Sequence, residues 1–246
     1  MVKLIIQITK VVVTIITALL LQSCFNTNWN GDSIDGDGNV VAINRTINES
    51  FSAISAQTGL EVYITKGNDV KVLVEADENL QNHIFTEVKD GVLEIYTDAS
   101  INNCDSKKVY VNVINLENIK SSSGAAIKSN NELKFDKLKL TASSGSNINV
   151  KTNTDQISCK SSSGSTITVN GKTNQLTTDA SSGSAINLDE LFAKKAKANS
   201  SSGSSIVLNA LEELNADASS GGSVEFISKP NSLIVDESSG GSVSQK

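Results

Sequence analysis

Serine is the residue that repeats most regularly along the second half of this 246-residue chain, and a serine hydroxyl is a potential nucleophile. Ser-Ser-Gly recurs seven times, with its glycine at positions 124, 145, 164, 183, 203, 221 and 240. Nucleophilic catalysis requires a base that takes up the hydroxyl proton, and histidine usually serves. The chain has one histidine, His83, far outside the repeats. We therefore interpret the serines as structural and predict no catalytic residue.

Candidate metal ligands are equally sparse. His83 has no partner at a spacing typical of a zinc site. Asp35, Asp37 and Asn39 resemble the opening of a calcium-binding EF-hand loop, but the position that requires glycine is Val40. The serine repeats also lack an aspartate at a fixed corner position, unlike calcium-binding β-rolls. The sequence therefore predicts neither a metal site nor a cofactor.

Cys24 follows a segment with the features of a bacterial export signal. Two lysines, Lys3 and Lys10, precede an apolar run at residues 11–21, and this arrangement is typical of a secretory signal peptide. The tetrapeptide Leu21-Gln22-Ser23-Cys24 resembles the lipobox of bacterial lipoproteins, although Gln22 departs from its usual small residue. We predict that residues 1–23 are a signal peptide and that Cys24 is lipidated. A buried core cysteine and an uncleaved transmembrane anchor are the alternatives.

Residues 24–39 are rich in Gly, Asn and Asp, which predicts a flexible tether behind the lipid. Two cysteines, Cys104 and Cys159, remain beyond the tether. An oxidising compartment would permit a disulfide between them, but Cys159 occupies a position where other repeats carry inward residues such as Leu or Thr. The interpretation of Cys159 as a small core side chain is therefore favoured.

A period of about twenty residues organises residues 121–246. The intervals between successive Ser-Ser-Gly glycines are 21, 19, 19, 20, 18 and 19. Apolar residues recur five positions after and seven positions before the glycine in most copies. Spacing by two is typical of β-strands, so each repeat is predicted to hold two short strands. A branched aliphatic residue stands three positions after every glycine: Ile127, Ile148, Ile167, Ile186, Ile206, Val224 and Val243.

These repeats predict an all-β fold, a single-stranded parallel β-helix (β-solenoid) with about 19–20 residues per coil. A thin aliphatic core suits a chain with 4% aromatic residues and one proline. The preference of parallel crossovers favours a right-handed coil, although the period also fits triangular left-handed helices. The second serine of each repeat is predicted to point inward into a hydrogen-bonded ladder: Ser123, Ser144, Ser163, Ser182, Ser202, Ser220 and Ser239.

Residues 40–120 alternate like strands but lack the Ser-Ser-Gly mark, which predicts an irregular start to the stack. Residues 76–85 are compatible with a short helical turn. A basic run at Lys194, Lys195 and Lys197 is interpreted as a solvated outward loop. Pro230, the one proline, falls in a variable stretch that we expect to be a loop.

Several segments resemble a known bacterial family. They are Phe51-Ser52-Ala53-Ile54, residues 59–64, residues 70–79, residues 86–95 and the later Ser-Ser-Gly-Ser-x-Ile coils. Together they resemble the "putative auto-transporter adhesin, head GIN domain" family, which is common in Bacteroidota, over roughly residues 40–246. The resemblance implies a β-helical, lipid-anchored or secreted surface protein without established catalytic residues.

The expected function is therefore that of a non-enzymatic, lipid-anchored adhesin or envelope interaction module. We expect an outer membrane lipoprotein of the cell envelope that contacts the membrane through its anchor and binds a glycan or protein ligand. A net charge of −6 argues against nucleic acid as a partner, and an oligomer is compatible with the pattern. The alternatives are a structural or regulatory envelope component and a carbohydrate-active β-helix enzyme, which would need converging carboxylates.

Overall fold

Alternation of apolar and polar residues makes most of residues 33–246 β-strand, as the sequence predicts. The structure, a computed structural model, describes Lys10 and residues 33–246. The predicted signal peptide, apart from Lys10, and Cys24 lie outside the described residues. Within the described part of the chain, no helix is long and apolar enough to cross a bilayer.

Twenty strands and one 3₁₀ turn make up the described fold. The 3₁₀ turn Glu78–Leu80 lies inside the segment predicted to hold a helical turn. The strands are β1 (Ser33–Ile34), β2 (Val40–Arg45), β3 (Ala53–Ala56), β4 (Glu61–Lys66), β5 (Lys71–Asp77), β6 (Ile84–Lys89), β7 (Val92–Thr97), β8 (Ser100–Ile101), β9 (Lys107–Val113), β10 (Asn118–Ser121), β11 (Ala126–Ser129), β12 (Lys137–Ala142), β13 (Asn147–Asn153), β14 (Gln156–Ser161), β15 (Thr166–Ala180), β16 (Ala185–Ser200), β17 (Ser205–Ala218), β18 (Ser223–Phe226), β19 (Ser232–Glu237) and β20 (Ser242–Gln245).

From β10 onward the chain is a β-solenoid of stacked parallel coils, which confirms the predicted fold class. The first face comprises β3, β10, β12, β14, the second halves of β15–β17, and β19. The second face comprises β4, β11, β13, the first halves of β15–β17, β18 and β20. Like residues stack between coils, so Ile127, Ile148 and Ile167 follow one another in register and are fully buried.

Each Ser-Ser-Gly forms the tight turn between the two faces. Ser182 and Gly183 both have positive φ, 55° and 67°, and the Ser184 N–H donates to the Ser181 carbonyl at 3.3 Å. Two consecutive residues with positive φ define a turn of the type I′ kind. The Gly183 N–H also donates to the Ser202 carbonyl of the next coil at 3.1 Å. The corners are therefore hydrogen-bonded along the stack as well as within each turn.

The inward orientation predicted for the second serine of each repeat is wrong. Ser123, Ser144, Ser163, Ser182, Ser202, Ser220 and Ser239 all have φ between 48° and 55° and are exposed. The left-handed conformation ends the strand alternation on which the prediction rested, so these side chains turn outward. The buried serines stand one position after the glycine, or three positions before it.

These buried serines form the hydrogen-bonded inner ladder that we predicted for the second serine of each repeat. Ser146 Oγ donates to the Ser121 carbonyl at 2.8 Å, and Ser184 Oγ donates to the Ser161 carbonyl at 2.9 Å. Ser200 Oγ donates to the Ser204 carbonyl at 3.0 Å. Each buried hydroxyl thus finds an acceptor in a corner carbonyl, which also accepts a backbone N–H from the next coil.

The N-terminal part departs from a simple coil. On one side the β3–β4 coil pairs with β7 and β9, and on the other side it pairs with β10 and β11. Strands β5 to β9 follow this coil in the chain, but β7 and β9 stack before it. Antiparallel pairs β2–β5, β5–β9 and β6–β7 extend this end of the stack. Thr58 and Gly59, with φ of 57° and 69°, form the same corner as the later Ser-Ser-Gly turns. This corner was not predicted, because its sequence lacks the serine mark.

Residues 33–39, which the composition assigned to the tether, are joined to the fold. β1 pairs with β8, and the Gly36 N–H donates to the Asn103 carbonyl at 2.6 Å. The Gly38 N–H donates to Asp77 Oδ2 at 3.0 Å. The regular structure therefore begins at Ser33 within the described residues, seven residues ahead of the predicted boundary at Val40.

Asp77 is the fully buried carboxylate that holds this region together. It accepts backbone N–H groups from Gly38 at 3.0 Å, Asp105 at 3.1 Å and Ser106 at 2.9 Å. Burial by itself raises the pKa of Asp77, but these three donors outweigh burial and lower the pKa below its ordinary value of 3.8. Asp77 is therefore charged at neutral pH and ties the N-terminal segment to the residues just before strand β9.

Candidate functional site

The third side of the solenoid lies between the end of each second-face strand and the start of the next first-face strand. In β15, β16 and β17 the chain stays extended through this side. The second-face and first-face segments of each coil therefore form one continuous strand, of 15, 16 and 14 residues respectively. Register shifts occur here between β15 and β16 and again between β16 and β17. Coil lengths therefore vary on this side, and the variation leaves an open cleft.

The cleft has a volume of about 750 Å³ and is open to solvent. A second hollow of about 620 Å³ adjoins it and shares Asn153, Lys172 and Phe192 with it. We call the two together the third-side cleft. The larger hollow is lined by Asn153, Thr154, Asp155, Lys172, Thr173, Asn174, Phe192, Lys194 and Leu211.

Phe192 is the aromatic side chain of the cleft, and 47% of it is exposed. Its neighbours in β16, Leu191 and Ala193, are fully buried, so strand alternation turns Phe192 outward. Leu211, 41% exposed, lines the same hollow. An exposed aromatic ring and an exposed leucine in one concave site are typical of a binding surface.

The backbone around the cleft is held closely. Gly171 has φ of 127°, and a Cβ at this position would lie 1.9 Å from the Thr152 carbonyl oxygen. Only glycine therefore permits this approach of two coils. Thr152 Oγ1 donates to the Leu133 carbonyl at 2.7 Å, and Thr173 Oγ1 donates to the Asp155 carbonyl at 3.0 Å. The coils next to that of Phe192 are thus fixed by one buried and one part-buried hydrogen bond.

The polar groups of the cleft are of mixed charge. Asn174 Nδ2 donates to Asp155 Oδ1 at 2.5 Å, which orients both side chains at the edge of the larger hollow. Lys172 and Lys194 supply cationic donors there. Lys151, Glu132 and Glu190 line the adjoining hollow. The cleft therefore offers both donors and acceptors around a central apolar patch.

The residues singled out in the sequence are not brought together by the fold. His83 Nδ1 lies 2.9 Å from Asp98 Oδ1 on the surface, away from the serine corners. Cys104 is half-buried, Cys159 is fully buried in the aliphatic column, and the two are free thiols. Burial raises the pKa of Cys159 to about 12. Among the described residues, no group of three or more His, Cys, Asp or Glu side chains could hold a metal ion.

The basic run was placed in a loop by its sequence, and that interpretation is wrong. Lys194, Lys195 and Lys197 lie in strand β16, where the neighbouring residues Ala193 and Ala196 are buried. Lys195 Nζ forms an ion pair with Glu213 Oε1 of the next coil at 2.6 Å, and this pair raises the pKa of Lys195. Lys194 lines the third-side cleft. The outward orientation of the run was predicted correctly.

Sequence reasoning did not identify Phe192 as a candidate. The signal that could have found it is the sequence Leu191-Phe192-Ala193, since an aromatic residue stands there between two small or aliphatic residues of a strand. Strand alternation then makes Phe192 either the buried residue or the exposed one. Counting by twos from the buried Leu188 or Ala196 would place Phe192 inward. Two consecutive exposed residues on each side, at 189–190 and 194–195, shift the alternation and leave Phe192 exposed.

Stacked parallel coils with a groove along one side define a solenoid repeat protein, a class that presents extended binding surfaces. The family model described as "Putative auto-transporter adhesin, head GIN domain" matches residues 50–230. The chain therefore belongs to this family, as the resemblance in its sequence implied. No curated protein matches the chain.

Solved structures share this fold at low sequence identity. A putative adhesin from Bacteroides fragilis has 18% identity and a TM-score of 0.79, with 87% of this chain and 100% of that chain covered. A putative adhesin from Parabacteroides merdae has 19% identity and a TM-score of 0.69, covering 87% and 99%. A putative lipid binding protein from Parabacteroides distasonis has 20% identity and a TM-score of 0.69, covering 87% and 100%.

Proposed function

We propose that this protein is a non-enzymatic, lipid-anchored adhesin of the bacterial cell surface that binds a carbohydrate in the third-side cleft. The observation that carries the proposal is the exposed ring of Phe192 in an open hollow rimmed by amide, carboxylate and ammonium groups. Membership of the adhesin family supports the class of function.

A carbohydrate fits the chemistry of this cleft. A sugar ring presents C–H groups on one face and hydroxyl groups around its edge. Phe192 and Leu211 offer an apolar surface for the face of the ring. Asn153, Asp155 and Lys172 offer acceptors and donors for the hydroxyls. The cleft is open along the stacking direction, which suits a chain of several sugars better than an enclosed small molecule.

The proposed anchor is Cys24. Transfer of a diacylglyceryl group to its thiol, followed by cleavage and acylation of the new N-terminal amine, would give two or more lipid chains, which bind a membrane stably where a single chain does not. The solenoid would then stand at the outer membrane, where an adhesin meets its ligand. This location is consistent with the family to which the chain belongs.

The binding proposal is tested with residues 24–246 carrying Cys24→Ser, so that the protein is soluble. A glycan array, followed by titration of the glycans it identifies, should show saturable binding. Phe192→Ala should weaken that binding by about 1–2 kcal/mol, roughly 5- to 30-fold in Kd, because the apolar surface under the sugar is lost. Ile114→Ala is the matched control, since Ile114 is an exposed aliphatic residue outside the cleft and should leave the Kd unchanged.

Other results would contradict the proposal. Glycan binding that Phe192→Ala does not alter would place the site elsewhere. Saturable binding of fatty acids or phospholipids without any glycan binding would favour a lipid ligand, which the name of one structural neighbour suggests for that neighbour. Absence of binding to glycans, lipids and matrix proteins alike would favour a structural or regulatory envelope component.

The anchor is tested separately in cells. The unaltered chain should incorporate a palmitate analogue and fractionate with the membrane, whereas Cys24→Ala should do neither. Cys104→Ala is the control, because Cys104 lies inside the folded solenoid and should not affect labelling. Labelling that survives Cys24→Ala would overturn the proposed lipidation site.

A further inference from the structure

The C-terminal end of the aliphatic column is open. Leu214 and Ala216 in β17 are 2% and 0% exposed, but the residues that follow them in register, Leu233 and Val235 in β19, are 42% and 43% exposed. Ile234 between them is 60% exposed. Three consecutive aliphatic residues therefore form an uncovered surface at the end of the first face.

The backbone of β19 is also unpaired along its outer side. The Ser238 N–H donates to the Ala218 carbonyl at 3.0 Å, so the even-numbered residues of this strand face β17. Because N–H and C=O groups alternate in direction along a strand, those of Leu233, Val235 and Glu237 point away from the stack. An aliphatic edge strand with free backbone groups favours pairing with a further strand.

The neighbouring strand β20 is less available. The outward N–H of Val243 donates to Glu237 Oε1 at 2.5 Å, so a side chain of the same molecule already occupies that position. Of the two core positions of this last coil on the second face, one carries the half-buried Val243 and the other carries Gln245 rather than an aliphatic residue. Of the two described strands at this end, β19 therefore offers the more aliphatic and more accessible edge.

We propose that β19 is a homodimerisation strand, which pairs antiparallel with β19 of a second copy around a two-fold axis at Ile234. In this register Leu233 of one copy lies opposite Val235 of the other. These are the residues whose N–H and C=O groups point outward, so each such pair exchanges two backbone hydrogen bonds. Ile234 lies opposite Ile234 of the second copy on the outer surface of the sheet.

The pattern of the strand is what favours a second copy over another partner. Ser-Leu-Ile-Val-Asp has an aliphatic centre of three residues with a polar residue on each side, and it therefore complements itself when reversed. Charge fits the same register, because Asp236 lies opposite Ser232 and Glu237 lies opposite Asn231. No two carboxylates face each other across the pair. A shift of this register by one residue would place core-facing side chains of one copy opposite outward-facing side chains of the other, which disfavours that alternative.

The dimer is tested by the mass in solution of residues 24–246 carrying Cys24→Ser, measured by sedimentation from nanomolar to high micromolar concentration. We expect twice the mass of the single chain at the upper end of this range. Val235→Pro should give the single-chain mass throughout, because proline removes an outward N–H and leaves the hydrogen bonds to β17 intact. Ile114→Ser, at an exposed aliphatic residue elsewhere, should behave as the unaltered chain.

The register is tested by oxidative crosslinking in a Cys104→Ser background. Ile234→Cys should form a disulfide-linked dimer, because only a residue on a two-fold axis meets its own copy across the strands. Ser232→Cys should not, since its two copies would lie about 13 Å apart along the strands. A single-chain mass at all concentrations would overturn the dimer, and equal crosslinking of both cysteines would overturn this register. A larger mass that forms only when other proteins are added would assign the edge to a different partner.

Discussion

The two ends of the solenoid contain the same kind of core but end it in different ways. At the N-terminal end the antiparallel strands β2, β5 and β6 extend the stack, and Leu80 from the 3₁₀ turn is fully buried. Gln81 is also buried there, and its Nε2 donates to the Val41 carbonyl at 2.9 Å and the Val74 carbonyl at 3.2 Å. At the C-terminal end the last repeat stops with Leu233 and Val235 in solvent.

This difference shows what a repeat can and cannot specify. A repeated coil defines how each layer stacks on the one before, but every repeat has the same two open sides. Closing a side requires residues that do not repeat, such as Gln81 and Asp77. The N-terminal part supplies them, whereas the described strands β19 and β20 leave Leu233 and Val235 exposed at the other end. A solenoid with one closed end is therefore free to associate through the other, and the predictions below test this contrast.

The largest expected effect is at the closed end. Asp77→Ala removes the acceptor of three backbone N–H groups, the buried one of Ser106 and the part-buried ones of Gly38 and Asp105. A buried donor without a partner costs about 1–3 kcal/mol and a part-buried one less, so we expect a loss of roughly 3–4 kcal/mol in the free energy of unfolding. Urea unfolding at neutral pH measures this loss. A loss below about 1 kcal/mol would contradict the role of Asp77 in closing this end.

The same carboxylate gives a dependence on pH. The pKa of Asp77 is lower in the folded protein than its ordinary value of 3.8, so its contribution is complete above that value. The contribution is lost as the pH falls through the folded pKa, because protonation then favours the unfolded chain. Asp77→Asn keeps an acceptor but no charge, and it should unfold with a weaker dependence on acid than the unaltered protein. Parallel acid titrations that coincide would contradict the assignment.

One core position can be compared between an inner coil and the exposed end. Leu214 and Leu233 are register partners, but only Leu214 is buried. Leu214→Ala should cost about 3 kcal/mol, because it creates a cavity, and Leu233→Ala less than about 1 kcal/mol. The pair is measured in a Val235→Pro background, so that dimer formation does not bury Leu233. Equal losses would indicate that the C-terminal end is closed in solution.

The regular part of the fold could largely be predicted from sequence. The Ser-Ser-Gly interval and the branched residues after it specify the strands, the corners and the burial of Ile127 or Ile206. The inward serine was misplaced because strand alternation does not extend through two residues of positive φ. Correct placement needed only the recognition that Ser-Gly forms a turn of the type I′ kind rather than the end of a strand.

Other features depend on contacts between residues far apart in the chain. Asp77 binds Gly38 and Ser106, which lie 39 and 29 residues away, and no local pattern marks that meeting. The β3–β4 coil is inserted between later strands, so the order of the stack differs from the order of the chain. The third-side cleft arises from register shifts between β15, β16 and β17. Such shifts are set by coil length and packing together.

The smallest expected effect tests whether the irregular and regular parts of the solenoid use the same corner geometry. Gly59 and Gly183 both have positive φ, 69° and 67°, yet only Gly183 belongs to a Ser-Ser-Gly turn. An added Cβ would meet nothing within 4 Å at Gly183 and only the Lys107 Nζ at 3.7 Å near Gly59. The cost of Gly→Ala is therefore backbone strain, about 1 kcal/mol at either position. Matching losses in urea unfolding would show that both parts of the molecule use one corner geometry. A much larger loss for Gly59→Ala would mean that the first coil depends on its corner more than the repeats do, and that the antiparallel strands stabilise it less than their contacts indicate.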